Sequence, residues 1–263
     1  MNLIILGAAA LVLAVLEQVP RLRFRKSRLF RRFFVTDLIY LLTGYLAPAS
    51  LSLAYIIVGS GFVGKTIGLP RFGDLGLSMW ITLPLALVAL DLGQYTAHYL
   101  MHRYDFLWEF HKIHHSSPTI DWLATFRSHF VEQLLRRIAG PLLLILSGFP
   151  VSASLIASGV FIVWAEFNHS NLKLNLRFLE PIVISPRLHK IHHVHRTSEQ
   201  NLGTLFTFWD RIRGTFISEG PSEGAVFGNG EPNYPQAWTT QLVEPILRIV
   251  RIRRASYKVS TTI

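Results

Sequence analysis

Histidine is the residue type in this sequence whose spacing points most directly to chemistry. All eleven histidines of the 263-residue chain lie between positions 98 and 195. His98 and His102 form an H-x-x-x-H pair, and residues 111–115 and 189–193 each read H-K-I-H-H. Imidazole nitrogens suit iron, zinc, copper and nickel, and the chain has no cysteine to offer thiolate, a disulfide or a Cys nucleophile. The pattern therefore predicts a metal site made of histidine, with the metal left open by the spacing.

Helix geometry indicates how these sets could hold an ion. Residues four apart on a helix share a face, with Cβ atoms about 5–6 Å apart. His98 and His102 can thus direct two imidazoles at one ion, and each H-x-x-H-H set is predicted to bring two or three nitrogens to one region. One ion takes about four to six ligands, so the supply of histidines favours two ions.

Two non-enzymatic readings remain beside an enzyme. A membrane metal transporter is expected to place Asp or Glu beside His in its spans, whereas these sets contain no carboxylate. A bis-histidine haem carrier is expected to face single histidines across two helices rather than to present His-His doublets. Both stay open as alternatives.

Composition indicates a membrane environment for the elements that position the histidines. Half of the residues are hydrophobic and 16% are charged, against about 25% in ordinary soluble domains. The net charge of +10 on such an apolar chain favours loops that face anionic lipid headgroups over nucleic-acid binding.

The apolar stretches predict the topology. Residues 1–19 read as a retained membrane helix, and residues 21–32, with seven Lys or Arg, as a cytoplasmic loop. Three further apolar stretches follow at 33–63 (interrupted by Pro48), 76–100 and 134–167. The last is broken at residues 148–150, Gly-Phe-Pro, which predicts a hairpin of two helices.

These stretches predict an all-α fold: an integral membrane helical bundle of about four membrane segments, one of them a hairpin. A cytoplasmic histidine-rich helical cap would then contain both histidine-rich segments, 98–129 and 169–195. The predicted divisions are 1–75 for the N-terminal membrane helices and basic loop, 76–216 for the di-metal domain, and 217–263 for a basic cytoplasmic tail. Arg248, Arg251, Arg253 and Arg254 are predicted to lie on a surface helix of that tail.

Motifs around the histidines extend the pattern over residues 76–216. They are 91–103 (D-x-x-x-Y-x-x-H-x-x-x-H-R), 107–116 (L-W-x-x-H-K-x-H-H-S), 127–132 (R-x-H-x-x-E), 168–171 (N-H-S-N), 185–193 (S-P-R-x-H-x-x-H-H), 201–203 (N-x-G) and 209–216 (W-D-R-I-x-G-T-F). Together these motifs resemble the fatty acid hydroxylase / sterol desaturase superfamily of membrane-bound, histidine-motif di-iron oxygenases.

The resemblance implies a mushroom-like membrane domain whose cap covers two iron ions. It implies O2-dependent hydroxylation or desaturation of a lipid such as a fatty acid or sterol, with a carotenoid hydroxylase-type reaction as the alternative. Electrons would come from a separate ferredoxin, cytochrome or reductase-type protein. The favoured location is a bacterial inner membrane. The implied ligands are His98, His102, His111, His114, His115, His169, His189, His192 and His193.

The departures from the family pattern concern a tenth ligand. Some members carry a histidine four residues after the equivalent of His169, where this chain has Lys173. His129 is the candidate replacement, with a hydrogen-bonding role as the alternative, and His195 is expected at the surface. Asp91, Glu132 and Asp210 could accept from imidazole N–H groups, or else act as helix caps or pair with Arg103, Arg127 or Arg211. The cap or ion pair is favoured at Asp210, and both readings stay open at the other two positions.

Overall fold

The computed structural model describes residues 2–46, 58–59, 71–221 and 224–260. These residues form nine α-helices, joined by loops and short turns of 3-10 or π-helix. The helices are α1 (Asn2–Leu16), α2 (Phe34–Tyr40), α3 (Met79–Arg103), α4 (Asp105–His115), α5 (Phe130–Leu146), α6 (Val151–His169), α7 (Pro186–His192), α8 (Phe208–Arg213) and α9 (Trp238–Ser260).

The predicted all-α class is confirmed for the described residues. Their extended pairing is limited to three isolated bridges, at Arg23–Leu172, Val183–Phe206 and Val194–Phe227. Short ordered loops rather than sheets therefore connect the helices around the histidines.

The long helix α3 is the centre of the packing, with α5 and α6 against it. The largest buried apolar cluster joins Ala86 and Leu90 of α3 to Leu144 of α5 and to Ala153 and Ala157 of α6. Small side chains at these contacts let helix backbones approach closely, which is how helices commonly pack in membranes.

Glycines mark the point where α3 and α5 touch most closely. A Cβ added to Gly93 of α3 would lie 2.3 Å from the carbonyl oxygen of Ala139, and one on Gly140 would lie 2.8 Å from Leu90 Cδ1. The two backbones are thus in direct contact one turn before the first histidine of α3.

The break between α5 and α6 falls at the Gly-Phe-Pro segment predicted from the sequence. Gly148 adopts a left-handed φ of 66°, which costs glycine little, and Pro150 precedes the first residue of α6. The apolar stretch 33–63 is described only in part: it contains α2, a π-helical turn at Leu41–Leu46 and residues 58–59. Pro48 lies outside the described residues.

The first helix is shorter than predicted. It ends at Leu16 instead of continuing to Val19, because Glu17 turns into the protein and accepts hydrogen bonds from the backbone N–H groups of Trp122 and Asn171, at 2.9 and 2.8 Å. Among the described residues, α6 is the one helix long and apolar enough to cross a membrane, and Gly7–Leu16 and Phe34–Thr43 are shorter apolar segments. The number of spans stays a prediction.

The C-terminal helix α9 carries Arg248, Arg251, Arg253 and Arg254, as predicted. It also packs against α4, a contact that the sequence did not indicate. Gln241 accepts a hydrogen bond from Tyr40 Oη at 3.0 Å and donates one to Ser116 Oγ at 3.2 Å. The tail is therefore part of the shell around the histidines.

Candidate metal centre

Nine histidines converge in the interior in two adjacent groups. Within each group the potential ligand atoms all lie within 4.8 Å of one another. We call them the five-histidine group and the four-histidine group. The first contains His98, His102, His111, His115 and His192, and the second contains His114, His169, His189 and His193.

Each H-x-x-H-H set serves both groups. In α4 the pair four residues apart, His111 and His115, joins the five-histidine group, and His114 between them joins the other. At α7 the assignment is reversed: His189 and His193 join the four-histidine group and His192 the other. The sequence predicted that each set would face one region, and the structure shows instead that it divides between two.

Hydrogen bonds donated by Nδ1 determine the tautomers of five of these imidazoles. Nδ1 donates to a carbonyl or carboxylate oxygen in each, and neither of these acceptors can donate in return. Their Nε2 atoms, when the rings are neutral, therefore carry lone pairs. The bonds run from His98 to Leu202 O (2.7 Å), His111 to Glu132 Oε1 (2.8 Å), His114 to Arg127 O (3.0 Å), His169 to Ala165 O (2.8 Å) and His192 to Gln200 O (3.2 Å).

The Nε2 lone pairs face one another at short range. The Nε2 atoms of His98 and His111 are 3.0 Å apart, and so are those of His114 and His169. Neither pair can be a hydrogen bond, because both members lack a proton at that nitrogen. Facing lone pairs repel unless a cation lies between them, so this arrangement fits a metal site.

The spacing of the nitrogens also fits ligands around an ion. In the four-histidine group, His189 Nε2 lies 3.0 Å from His169 Nε2, and His193 Nε2 lies 3.1 and 3.2 Å from those two atoms. Imidazole ligands about 2.1 Å from a metal and at right angles to one another stand about 3.0 Å apart. In the five-histidine group, Nε2 of His102 and of His192 and both nitrogens of His115 are buried without a hydrogen-bond partner, which leaves them free to coordinate.

Burial keeps these rings neutral and ready to bind. Desolvation lowers the pKa of His114 to about 3, with the nearby His169 adding to the effect. The pKa values of His111, His115, His192 and His193 are also lowered, first by burial and then by neighbouring imidazoles, with Arg136 adding to the effect at His111. A metal would not have to displace protons from these nitrogens near neutral pH.

Glu132 of α5 is the acidic residue that contacts a ligand-type imidazole. It is buried, and its Oε1 accepts from both His111 Nδ1 and, at 3.0 Å, Arg136 Nε one turn later on the same helix. The alternatives left open by the sequence are both realised here, since Glu132 orients an imidazole and forms an ion pair.

The other two acidic residues act on the loop that follows α7. Asp91 accepts from the backbone N–H groups of Leu205 and Phe206 and from Trp209 Nε1, at 3.0–3.1 Å. Asp210 accepts from the backbone N–H groups of Leu202 and Gly203, at 2.9 and 2.8 Å. Neither carboxylate contacts an imidazole, and Asp210, where the sequence favours a cap or an ion pair, reaches His98 only through the carbonyl of Leu202.

The same loop explains the N-x-G motif. Asn201 adopts a left-handed φ of 51°, which asparagine tolerates better than most residues. Its side chain accepts from Ile217 N–H at 3.0 Å and donates to Ile217 O at 2.9 Å. This turn directs the carbonyls of Gln200 and Leu202 towards His192 and His98.

The structure does not bring His129 into either group. His129 caps the start of α5, where its Nδ1 accepts from Val131 N–H at 3.2 Å and its Nε2 lies 3.1 Å from Leu242 O. Both ring nitrogens are therefore occupied, which agrees with the hydrogen-bonding alternative and not with a tenth ligand. His195 also lies outside both groups, as expected, in a 3-10 turn at His195–Thr197, and Lys173 is exposed.

Sequence reasoning missed a buried charge network next to His114. Arg127, whose carbonyl accepts from His114, is fully buried, and its guanidinium pairs with Asp37 of α2. Arg31 pairs with the same Asp37 (2.7 Å) and with Asp121. Two of these pairs, Arg127–Asp37 and Arg31–Asp121, join residues ninety positions apart, so no local pattern could have revealed them.

Two further buried ionisable residues were missed. Lys190 of α7 donates to the carbonyls of Ser170 and Pro186, and burial lowers its pKa to about 7. Glu166 of α6 is fully buried one turn before His169, and neither carboxyl oxygen has a hydrogen-bond partner. Charged residues within H-K-I-H-H and in an apolar helix were the signals available in the sequence.

A polar cavity of about 400 Å³ reaches the five-histidine group at His102. Asp105, Arg196 and Glu199 are among its lining residues, together with Trp108, whose ring lies 5.0 Å from that of His102 and 5.3 Å from that of His115. This cavity connects the group with the water-exposed surface after α3.

Comparisons with known proteins identify the family to which the chain belongs. The family model for fatty acid hydroxylases matches residues 83–215, about half of the chain. The chain belongs to the fatty acid hydroxylase family. No solved structure matches it.

The chain is similar to three curated relatives that act on lipids, as their names state. The chain is 34% identical over 167 residues to ornithine lipid hydroxylase OlsE of Rhizobium tropici, a match that covers 62% of this chain and 50% of that protein. It is 31% identical to the alkylglycerol monooxygenase of Danio rerio over 157 residues and 27% identical to that of Homo sapiens over 156, each match covering 56% of this chain and 33% of the relative. The matches thus span half or less of these relatives' lengths.

Proposed function

We propose that this chain is a membrane-bound di-iron oxidoreductase that uses O2 and external electrons to hydroxylate a lipid C–H bond. The observation that carries the proposal is the set of buried, facing Nε2 lone pairs, which are oriented by the hydrogen bonds that Nδ1 donates and whose repulsion a metal ion between them would remove. The names of the relatives support the lipid substrate and the oxygenase chemistry. Desaturation at the same centre is the nearest alternative outcome.

Nine histidines would hold the two ions, five around one and four around the other. Bound iron would supply the redox chemistry with O2 that zinc, which has no redox states, could not. The residues of the chain would hold the imidazoles neutral by burial, orient them through Glu132 and the loop carbonyls, and exclude water with the helices around them.

The electrons would come from a separate protein of the ferredoxin, cytochrome or reductase type. This part of the proposal is supported by the sequence, which contains no recognisable NAD, flavin or haem motif. Among the described residues, the polar cavity at His102 leads from the solvent to the five-histidine group.

A membrane location is supported by α6 and by the apolar side chains exposed on other helices. Leu11 and Val15 of α1, Trp80 and Ile81 of α3 and Leu134 of α5 are all more than half exposed. Buried in lipid, these side chains would be removed from water at no cost to the fold. We propose several spans, with the metal centre on the cytoplasmic side of a bacterial inner membrane.

The test is metal content followed by turnover. We expect detergent-purified protein made with iron to hold about two irons per chain, and the His114→Ala/His192→Ala variant, which removes one ligand from each group, to lose most of it. His195→Ala is the matched control, since it removes a histidine outside both groups. Reduced protein is then given O2 and candidate lipids, and products are sought by mass spectrometry as a gain of one oxygen.

Iron that is absent, or retained in the double variant, would contradict the centre. Two zinc ions that iron cannot replace, or iron without oxidised lipid across fatty acids, sterols, alkylglycerols and ornithine lipids, would contradict the oxygenase.

A further inference from the structure

A second cavity lies away from the polar cavity at His102, beside the segment that joins α1 to α2. Its volume is about 440 Å³, and its lining includes no acidic side chain among the described residues. Five cationic residues of one short segment line it: Arg25, Lys26, Arg28, Arg31 and Arg32. We call this the basic cavity.

Three of these charges are uncompensated. Arg31 is neutralised by Asp37 and Asp121, behind the cavity wall. Lys26, Arg28 and Arg32 are exposed, and no carboxylate pairs with them in the part of the chain that the structure describes. A concave surface with several unpaired cations concentrates anions.

The wall of the cavity is fixed to the residues that follow α6. Asn171, two residues after His169, accepts from Arg25 N–H at 3.0 Å and donates to Arg25 O at 2.7 Å and to Ser27 Oγ at 3.1 Å. The guanidinium of Arg25 lies 4.4 Å from the ring centroid of Phe227. The cavity is therefore preformed, which lowers the entropic cost of binding a ligand there.

The apolar residues around the basic cavity indicate that the bound anion belongs to a membrane lipid. The basic segment joins two apolar segments, Gly7–Leu16 and Phe34–Thr43. Phe30, which lines the cavity, is 74% exposed, and Leu29 beside it is 39% exposed. Cations next to apolar helices and exposed apolar side chains are the arrangement that attracts anionic headgroups at a membrane surface.

We propose that the basic cavity binds the phosphate group of an anionic phospholipid headgroup. Arg28 and Arg32 would donate to the phosphate oxygens, for which the planar guanidinium is well suited, and Phe30 would lie among the lipid chains. This site is separate from the metal centre and does not depend on the reaction proposed there.

The test measures lipid binding to the iron-loaded protein in neutral detergent, by native mass spectrometry and by the shift in melting temperature. Dioleoyl phosphatidylglycerol is compared with dioleoyl phosphatidylcholine and with inorganic phosphate. We expect phosphatidylglycerol to bind most tightly. Arg28→Gln/Arg32→Gln should weaken its binding about 30-fold, from two charges at about 1 kcal/mol each.

The matched control is Arg177→Gln/Arg251→Gln, which removes the same charge from two exposed arginines that do not line the cavity. Its binding of phosphatidylglycerol should stay within about twofold of wild type, by the same estimate applied to distant charges. Equal loss in both variants would mean attraction by net charge alone and would overturn the proposal. Equal binding of phosphatidylcholine, or an equal thermal shift with millimolar phosphate, would overturn the assignment to an anionic lipid.

Discussion

The carboxylate of Glu132 shows how much a single residue contributes to this centre. It is shared between His111 Nδ1 and Arg136, so it orients the imidazole of His111 while the arginine holds the carboxylate in place. Such acceptors raise the basicity of the coordinating nitrogen on the far side of the ring. The sequence indicated that Glu132 lies near the histidines, but its contact with His111 depends on how α4 packs against α5.

Glu132→Gln is expected to weaken iron binding about 10- to 100-fold, because a neutral amide is a poorer acceptor for His111 and leaves Arg136 without its ion pair. The measurement is iron retained against a graded chelator. Glu244→Gln is the control, since Glu244 and Arg248 form the same four-residue ion pair on α9 without an imidazole. Equal iron retention in both variants would show that the carboxylate does not act through His111.

Glu166 makes a different prediction. A fully buried carboxyl group without a partner destabilises the folded state, by about 1–3 kcal/mol on mutational scales. Glu166→Met keeps the length of the side chain and removes the polar atoms, so the melting temperature of the detergent-purified protein should rise. Glu219→Met, at an exposed position, should leave it nearly unchanged. A fall with Glu166→Met would mean that the carboxyl has a partner or a role of its own.

At the scale of helices, the contact between α3 and α5 depends on glycine. Gly93→Ala would force a methyl group into the backbone of Ala139 and is expected to destabilise the fold by about 1–3 kcal/mol. Gly159→Ala on α6 meets nothing within 4 Å and should be neutral or stabilising by up to about 1 kcal/mol. Thermal unfolding of the two variants measures the difference, and equal effects would contradict close packing at Gly93.

A buried ion pair between Asp37 and Arg127 joins α2 to the segment before α5. Asp37→Asn leaves Arg127 buried without its counter-ion, which typically costs about 3–5 kcal/mol. Because the carbonyl of Arg127 accepts from His114, iron retention should fall as well. Asp74→Asn, at an exposed position, is the control for both melting temperature and iron content. A variant with normal melting temperature would show that the pair is dispensable.

Helices were predictable from the sequence where local signals were strong. The break at Gly148 and Pro150 was found because both residues act on their own backbone. The early end of α1, the docking of α9 on α4 and the pairing of Asp37 with Arg127 all depend on partners roughly ninety or more positions away, and no local pattern reports these. The nine clustered histidines were recognised by type and spacing, but their division between two groups needed the relative rotation of α4 and α7.

For the molecule as a whole, metal should act as a structural component. The nine histidines come from α3, α4, α6, α7 and the residue after α7, so ions bound to them would hold these elements together. Removing iron with a chelator is expected to lower the melting temperature, since a ligand that binds only the folded state stabilises it. His114→Ala/His192→Ala protein should respond little to the same chelator. A melting temperature unaffected by chelation in the wild type would show that the fold is complete without metal.

The division of each H-x-x-H-H set between two groups also affects the order of events during synthesis. α3, α4 and α6 leave the ribosome before α7, and they contain six of the nine histidines. Both groups remain open at that stage, because His192 completes one and His189 and His193 complete the other. Both groups would therefore be completed within the five residues from 189 to 193, the five-histidine group at His192 and the four-histidine group one residue later.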